Sequence, residues 1–216
     1  MATGIDRIGA LDRAFEFIYK SETIGDYYEF GVFQGVSIAR ALKSDMRWRK
    51  RTGRAYVDKF FGFDSFKGLP QFTAGDNLEG YGVFHPGQFG DTQPKKVLEK
   101  IASEGMPADR VTLIQGFFSE TLGAETTHHL LSNSKVAIAH IDCDLYSSAL
   151  ECLDFLDGRL ADGAVILFDD WFCYRGRPDR GVHKAFDEWC AKRNYMVSDY
   201  FTYSWAGRAF MVNLAG

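Results

Sequence analysis

Two pairs of aspartates, each placed directly after an apolar run, are the residues in this sequence best suited to chemistry. Asp142 and Asp144 follow one such run, and Asp169 and Asp170 follow another. Moving a carboxylate out of water is unfavourable, so acids at the end of a buried strand require a cation, a proton or a substrate hydroxyl as partner. The two pairs are therefore the first candidates for a functional site.

Both acid pairs are expected at the carboxyl ends of parallel strands, where open α/β sheets hold their ligands. Carboxylates that converge there repel one another unless a cation or protons neutralise them. Donor atoms that are all oxygen suit a hard divalent ion, with Mg²⁺ favoured by abundance and Mn²⁺ or Ca²⁺ as alternatives. We interpret the four acids as a metal site. The alternative is that one or two of them, Asp144 above all, cap the helices that follow.

A turn with two glycines near the N-terminus is the second candidate. Gly31 and Gly35 lie in the stretch EFGVFQGVS, between an expected strand and an expected helix that Ser37 can cap. Such a turn brings backbone N–H groups close to a ligand. The spacing fits neither a P-loop nor the dinucleotide pattern GxGxxG. A looser loop that binds S-adenosylmethionine (SAM) and a plain strand-to-helix turn both stay open.

Asp64 ends the next expected strand and is a candidate ligand for a nucleoside. An acid at this position can accept hydrogen bonds from both ribose hydroxyls. Its distance from Gly31 exceeds the spacing of about 20 residues that dinucleotide-binding folds use, so the intervening helix and loop must be long. A role in capping or in a turn is the alternative.

Two histidines fall near the candidate acids. His140 lies inside an apolar run and is expected to be a core residue whose hydrogen bonds are satisfied. His183 follows the second acid pair on an expected helix, where it either faces the site or packs elsewhere.

The pattern of apolar residues predicts a doubly wound α/β fold with a mostly parallel sheet. Several strands are apolar along their whole length, which is typical of strands buried on both faces of a parallel sheet. The predicted strands are 26–33, 59–66, 110–116, 136–142 and 164–169, with an antiparallel hairpin from 195–201 and 208–214. The predicted helices are 6–20, 37–48, 94–105, 147–160 and 180–193.

One domain, 1–216, is predicted from the length of the chain. Residues 1–25 contribute an N-terminal helix. Residues 68–93 are rich in Gly, Asn, Asp, Pro and aromatic side chains, and a long loop of this kind is usually functional or mobile. We interpret it as a lid and as a wall for an acceptor, formed by Phe72, Tyr81, Phe84 and Phe89.

Composition excludes several classes of partner. The formal charge of −4 offers no general attraction to nucleic acid or to an anionic membrane. No apolar run reaches the roughly 20 residues of a membrane span, and the N-terminus lacks the features of a secretory signal. The four cysteines form no CxxC motif and are interpreted as reduced thiols. These patterns predict a cytoplasmic protein without a nucleic-acid or membrane partner.

With these stretches in order, the chain resembles the macrocin O-methyltransferase (TylF-like) family of class I SAM-dependent methyltransferases. The similar segments are YYEFGVFQGVS, GFDSFKGLP, VTLIQGFFSETL, HIDCDLYSSALECLDFL, LADGAVILFDDW and GVHKAFDEW. The resemblance implies a seven-stranded, Rossmann-like doubly wound sheet. It also implies methyl transfer from SAM to a hydroxyl, typically of a sugar in natural-product biosynthesis, with a divalent metal such as Mg²⁺.

The resemblance further implies a role for individual residues. Asp142, Asp169 and Asp170 would bind the metal, and Asp144 would be the general base. The cofactor-binding residues implied are Glu29, Gly31, Gly35, Asp64, Gln115, Gly116 and Phe117. Ser37, Ser65 and Asp142 are further predicted cofactor contacts.

The acceptor is the least determined part of this interpretation. Cys143 stands where the family has glycine between the two acids, and Trp171 follows the second pair in place of the more frequent tyrosine. The partner is predicted to be a small hydroxylated molecule, with a vicinal diol or a catechol favoured because two adjacent hydroxyls can share one cation. A homodimer is compatible with the sequence but is not required by it.

Two other functions are weighed against methyl transfer. Asp142-Cys143-Asp144 also reads as the DxD motif of a metal-dependent glycosyltransferase, but that reading leaves the glycine turn and the second acid pair without a task. A domain that binds SAM without catalysis is the other alternative.

Overall fold

The computed structural model describes residues 4–76, 78–79 and 82–215. The described residues form seven strands: β1 (Gly25–Phe30), β2 (Val57–Asp64), β3 (Val111–Gln115), β4 (Val136–Ile141), β5 (Leu160–Phe168), β6 (Tyr195–Tyr203) and β7 (Gly207–Leu214). They also form seven α-helices: α1 (Arg7–Ser21), α2 (Val36–Thr52), α3 (Pro94–Ser103), α4 (Phe118–Thr121), α5 (Glu125–Leu130), α6 (Tyr146–Leu156) and α7 (Gly181–Lys192).

All seven strands belong to one sheet with the order β3-β2-β1-β4-β5-β7-β6. The five strands from β3 to β5 pair in parallel, whereas β7 pairs antiparallel with both β5 and β6. The predicted doubly wound sheet with a C-terminal antiparallel hairpin is therefore confirmed. The chain runs outward from β1 to β3 and then returns to β4. This makes the crevice between β1 and β4 the switch point where such folds bind ligands.

Helices cover both faces of the sheet and explain why the central strands show no alternation. One core cluster joins the sheet to α1 and α2 through residues such as Phe15 and Leu42. The cluster on the opposite face joins the sheet to α6 and α7 through Leu153 and Trp189. All six residues of β4 are consequently buried. A strand covered on both faces is apolar along most of its length, and His140 is the exception in β4.

Element boundaries differ from the predicted ones where the backbone turns. The first predicted strand ends at Phe30 because Gly31 takes a left-handed φ of +92°. Helix α6 ends at Leu156 rather than at residue 160, since Gly158 turns the chain and Leu160 already starts β5. Helix α2 extends four residues beyond the prediction, to Thr52.

The predicted lid, residues 68–93, contains no helix or strand in the part of it that the structure describes. Its two ends are joined because the amide of Leu69 donates to the carbonyl of Gln88, at 2.9 Å. Tyr81, one of its predicted wall residues, lies outside the described residues. None of the helices in the described part of the chain has both the length and the apolar character that a membrane span needs.

Candidate active site

A cavity of about 900 Å³ opens at the carboxyl ends of the central strands. Its lining includes Gly31 after β1, Asp64 at the end of β2, Asp142 after β4 and Asp170 after β5. The volume lies in the range of pockets that hold cofactors and small molecules. The switch point of the sheet thus brings the glycine turn, Asp64, the first acid pair and Asp170 to one cavity.

The predicted site residues divide into two groups by position. Eight line the cavity: Gly31, Ser37, Asp64, Ser65, Phe117, Asp142, Asp144 and Asp170. Five lie outside its lining: Glu29, Gly35, Gln115, Gly116 and Asp169. The roles predicted for the second group stay predictions.

Gly31 allows the ends of β1 and β4 to meet. A Cβ atom at this position would lie 1.8 Å from the carbonyl oxygen of Asp142, and φ is +92°. The strands continue to pair past this point, because the amide of Asp142 donates to the carbonyl of Phe30 at 2.9 Å. Gly35 is the N-cap of α2 and does not line the cavity. A Cβ atom at this position would lie 2.4 Å from a methyl carbon of Val97 in α3.

The Asp64 carboxylate organises the loops around it. Oδ2 accepts the amides of Val32 and Phe33 at 2.7 and 2.8 Å, and Oδ1 accepts the amide of Phe66 at 2.6 Å. The turn role considered for Asp64 is therefore present in the structure. Each carboxylate oxygen has two lone pairs, so a role toward a ribose is compatible with these bonds and stays a prediction.

Glu29 is fully buried in β1 and acts from beneath the cavity. Its Oε1 accepts the hydroxyl of Ser37 at 2.8 Å, and its Oε2 accepts the hydroxyl of Tyr27. Glu29 thus orients Ser37, which lines the cavity, without reaching the cavity itself. A direct contact of Glu29 with the cofactor stays a prediction.

Of the three residues predicted to bind the cofactor at the end of β3, only Phe117 lines the cavity. Phe117 lines the cavity, whereas the side chain of Gln115 is exposed to solvent. Gly116 has a φ of +146°, a conformation that side chains rarely adopt, and it turns the chain between the two.

Three carboxylates converge beside the glycine turn. One oxygen from each of Asp142, Asp169 and Asp170 lies within 4.8 Å of the other two. Burial, followed by the neighbouring carboxylates, raises the pKa values of Asp142 and Asp170 well above their usual range. Oδ1 of Asp169 is buried and has no hydrogen-bond partner among the described residues. The donor set and this unpartnered oxygen fit a hard divalent cation.

Two cationic side chains border the cluster, and the sequence did not predict either contact. Arg7, at the start of α1, places Nη1 3.1 Å from Oδ2 of Asp142 and donates from Nη2 to Asp169. His140 lies between Glu29 and Asp169, with nitrogen-to-oxygen distances of 3.6 and 3.8 Å. Arg7 is 162 residues away from Asp169 in the chain, so no local pattern could have indicated the pair.

His140 is buried as expected, but its hydrogen bonds are not satisfied. Neither ring nitrogen has a hydrogen-bond partner in the described part of the chain. Burial alone would lower the pKa of His140, but the carboxylates of Asp169 and Glu29 raise it to about 10. The expectation of an ordinary core histidine was wrong, because the ring lies between two buried acids. His183, by contrast, packs against Trp171 and does not line the cavity.

Asp144 lines the cavity and does not cap the helix that follows it. The N-cap of α6 is Leu145, and the amide of Ser147 in its first turn donates to Asp76 at 2.8 Å. Burial, then the carboxylates of Asp142 and Asp169, raise the pKa of Asp144 to about 8. The capping alternative for Asp144 therefore does not describe this structure.

The outer part of the cavity is aromatic. Phe84 and Phe89 of the predicted lid line it, whereas Phe72 does not. Trp205, in the turn between β6 and β7, lines it as well and is 72% exposed. The turn sequence gave no indication that Trp205 would reach the site, because the hairpin is brought there only by its pairing with β5.

Known proteins resemble this chain in sequence and in fold. Residues 1–198 match the model of the macrocin-O-methyltransferase (TylF) family. The chain belongs to this family. The resemblance drawn from the ordered motifs is therefore confirmed over most of the TylF-family chain.

Individual relatives of the TylF-family chain methylate hydroxyls, according to their names. An 8-demethyl-8-(2,3-dimethoxy-alpha-L-rhamnosyl)-tetracenomycin-C 4'-O-methyltransferase of Streptomyces olivaceus is 26% identical over 171 residues, 78% of this chain and 61% of the relative. A mycinamicin III 3''-O-methyltransferase of Micromonospora griseorubida is 26% identical over 179 residues, 78% of this chain and 63% of the relative. The chain thus spans about six-tenths of the length of these curated relatives.

A solved structure shares the fold. The O-methyltransferase NovP superposes with a TM-score of 0.72 at 19% identity, over 97% of this chain and 80% of that chain. At this level of identity the likeness establishes the class I methyltransferase architecture and nothing finer.

Proposed function

We propose that this TylF-family chain is a SAM-dependent O-methyltransferase that acts on a hydroxyl of a small sugar or natural-product intermediate. The observation that carries the proposal is the shared cavity. A glycine turn with Asp64, suited to a nucleoside, and the acid cluster around Asp142 line the same space of about 900 Å³. A donor and an acceptor can therefore meet there without leaving the cavity.

The cofactor half is formed by backbone and small polar side chains. The amides of Val32 and Phe33, in the turn that begins at Gly31, donate to Asp64 and thereby fix its carboxylate beside the turn. Asp64 is the residue proposed to bind the ribose hydroxyls, and Phe117 is the apolar side chain proposed to lie beside the adenine. Ser37 and Ser65 border the same region.

The metal site is proposed from the three converging carboxylates. Asp142, Asp169 and Asp170 would hold a divalent cation such as Mg²⁺, which supplies the Lewis acidity that lowers the pKa of an acceptor hydroxyl. By holding the cation, the three carboxylates would also help to position the acceptor. An acceptor with two adjacent hydroxyls is favoured, because both hydroxyls could share one cation. The role rests on the donor geometry and on the unpartnered oxygen of Asp169.

Asp144 is the proposed general base. Its carboxyl lines the cavity next to Asp142, and its pKa of about 8 lies close to that of an efficient base at neutral pH. The proton leaves the hydroxyl for Asp144, and the oxygen then forms its bond to the methyl carbon as the bond from that carbon to sulfur breaks. Alignment of oxygen, carbon and sulfur would supply much of the rate gain.

The side chains around the cavity combine acidic and aromatic groups. The described lining contains the acidic side chains of Asp64, Asp142, Asp144, Glu151 and Asp170 and one cationic side chain, Arg7. The aromatic side chains Phe84 and Trp205 suit the apolar face of a sugar ring or an attached aglycone.

The test is an isothermal titration of the purified protein with S-adenosylhomocysteine, run with Mg²⁺ and again with EDTA. We expect micromolar binding in both conditions, because the proposed metal ligands lie on the acceptor side. A screen of hydroxylated acceptors with SAM and Mg²⁺ then follows.

If S-adenosylhomocysteine binds neither with Mg²⁺ nor with EDTA, the proposed function is contradicted. A parallel titration with a nucleotide sugar tests the glycosyltransferase alternative, because a DxD glycosyltransferase would bind that ligand only in the presence of the metal. Binding of S-adenosylhomocysteine without turnover of any acceptor would favour the non-catalytic alternative.

A further inference from the structure

The guanidinium of Arg7 bridges two of the three acids proposed to bind a cation. Nη1 lies 3.1 Å from Oδ2 of Asp142, and Nη2 donates to Oδ2 of Asp169. Oxygens of the same two residues converge with an oxygen of Asp170 within 4.8 Å. Arg7 therefore neutralises part of the charge that a divalent ion would otherwise balance.

We propose that Arg7 is an exchangeable occupant of this acid cluster: it holds Asp142 and Asp169 in the ion-free protein and leaves them when a divalent cation binds. The inference rests on the metal site of the proposed function and adds a residue that no motif indicated. Arg7 is a positioning residue in this scheme, because it acts through the carboxylates that it holds.

Competition follows from the chemistry of the two cations. A hard divalent ion needs carboxylate lone pairs directed at it at about 2.0–2.6 Å. In the structure Oδ2 of Asp169 accepts an N–H group of the guanidinium, and Oδ2 of Asp142 forms an ion pair with it. Two cations that share the same carboxylates also repel each other. The ion and the guanidinium are therefore alternatives at Asp142 and Asp169.

The position of Arg7 allows it to leave. It is the first residue of α1, and its side chain is 48% exposed. The helix start is held independently, because the amide of Gly9 donates to the side chain of the N-cap residue Asp6 at 2.7 Å. The side chain can thus swing toward the cavity, which it already lines, without unwinding α1.

The test compares Mn²⁺ binding by the ion-free wild-type protein, Arg7→Gln and Arg7→Lys in a calorimetric titration. We expect Arg7→Gln to bind Mn²⁺ about tenfold more tightly than the wild type, because no cation must be displaced. Arg7→Lys should fall between them, since a lysine ammonium lacks the planar fork that bridges two carboxylates. Arg13→Gln is the matched control: Arg13 lies on the same helix over the rings of Tyr200 and Phe201 and should leave the Mn²⁺ affinity unchanged.

Thermal unfolding gives a second readout on the same proteins. In EDTA, Arg7→Gln should melt below the wild type, because Asp142 and Asp169 lose the cation that bridges them. With saturating Mn²⁺ the two melting temperatures should converge. Equal or weaker Mn²⁺ affinity of Arg7→Gln would overturn the exchange.

A measurement on the wild-type protein keeps the proposal testable if a variant fails to fold. Addition of diamagnetic Mg²⁺ should move the guanidinium Nε–H NMR signal of Arg7 toward that of a free arginine side chain, and an unmoved signal contradicts the release of Arg7. Lack of Mn²⁺ binding by every protein overturns both the exchange and the metal site. Titration of the same samples with S-adenosylhomocysteine shows separately whether the proposed cofactor site is intact.

Discussion

Hydrogen bonds to its backbone amide and carbonyl hold Asp144 in place. Its amide donates to Oδ2 of Asp170 at 3.1 Å, and its carbonyl accepts the hydroxyl of Tyr174 at 3.0 Å. These contacts stabilise a left-handed φ of +62°. A residue other than glycine in this region costs on the order of 1 kcal/mol and persists only where its neighbours enforce it. Such enforced geometry is typical of functional positions.

Replacement of Asp144 by Asn is expected to lower methyl transfer by at least about 100-fold, the contribution typical of a general base. Binding of S-adenosylhomocysteine should stay within about threefold of the wild type, because the proposed cofactor contacts lie on the other side of the cavity. Turnover of an acceptor found in the screen and calorimetry of the cofactor product measure the two effects. Asp154→Asn, an α6 residue paired with Arg193 on the surface, is the control. A loss of cofactor affinity comparable to the loss of turnover would remove the assigned role.

At the scale of elements, the site depends on two close approaches between segments that are distant in sequence. The first joins the ends of β1 and β4 at Gly31. The second joins the predicted lid to α6 through Asp76, which is 6% exposed. Asp76 accepts the amide and hydroxyl of Thr73 and the amide and hydroxyl of Ser147, each at 2.8 Å.

Gly31→Ala is expected to destabilise the protein by about 3 kcal/mol or more, or to prevent folding. The added methyl group would overlap the carbonyl oxygen of Asp142, and the positive φ adds strain of roughly 1–2 kcal/mol. Gly53→Ala shares the positive φ, +69°, but meets no atom within 4 Å, so it isolates the strain. Urea unfolding of both variants separates the two effects. Equal destabilisation would show that the approach of β1 to β4 is not the limiting contact.

Asp76→Ala should loosen the lid and the first turn of α6 together. Loss of the carboxylate leaves the amide of Ser147 without its partner, which costs about 1–3 kcal/mol when the group is buried. Hydrogen exchange should become faster in residues 69–76 and 145–149 and stay unchanged in the hairpin of β6 and β7. Asp76→Asn keeps one acceptor oxygen and should give a smaller change. Faster exchange in only one of the two segments would disprove their coupling.

At the scale of the whole molecule, the buried charges couple stability to pH. The pKa of Asp144 is raised to about 8, and those of Asp142 and Asp170 also lie well above their usual values. The folded state therefore holds protons that the unfolded state releases near pH 4, and this stability is lost as the pH rises. His140, with a pKa of about 10 in the folded state, contributes stability below pH 6.5 that is lost in the same direction.

The ion-free protein is thus expected to become less stable between pH 6 and pH 9. One unit of differential pKa corresponds to roughly 1.4 kcal/mol, or at least ~3 °C in melting temperature for a chain of this size. Melting in EDTA across this range measures the effect. Mg²⁺ should raise the melting temperature more at pH 9 than at pH 6, because it binds the deprotonated acids. A melting temperature that does not change with pH in EDTA would contradict the buried, proton-sharing cluster.

Sequence patterns alone determined the architecture and the edge of the sheet where the site lies. The mostly apolar runs of β4 and β5 require cover on both faces, and strands so covered are typically parallel and end at a common edge. The acids that follow them must then be neighbours, and the structure places oxygens of Asp142, Asp169 and Asp170 within 4.8 Å. The order of the motifs was specific enough to identify the TylF family before any contact was known.

Only the tertiary structure decided which side chains surround those acids. Local sequence spacing could not predict four of these placements: Arg7 at the acid cluster, Asp76 at the start of α6, Trp205 at the cavity mouth and His140 between two carboxylates. Periodicity reports which face of a helix or strand is apolar, and it carries no information about a partner 71 residues away, as for Asp76 and Ser147. Such partners are selected by the folded arrangement of whole elements, because a buried polar group must find whichever neighbour the packing provides.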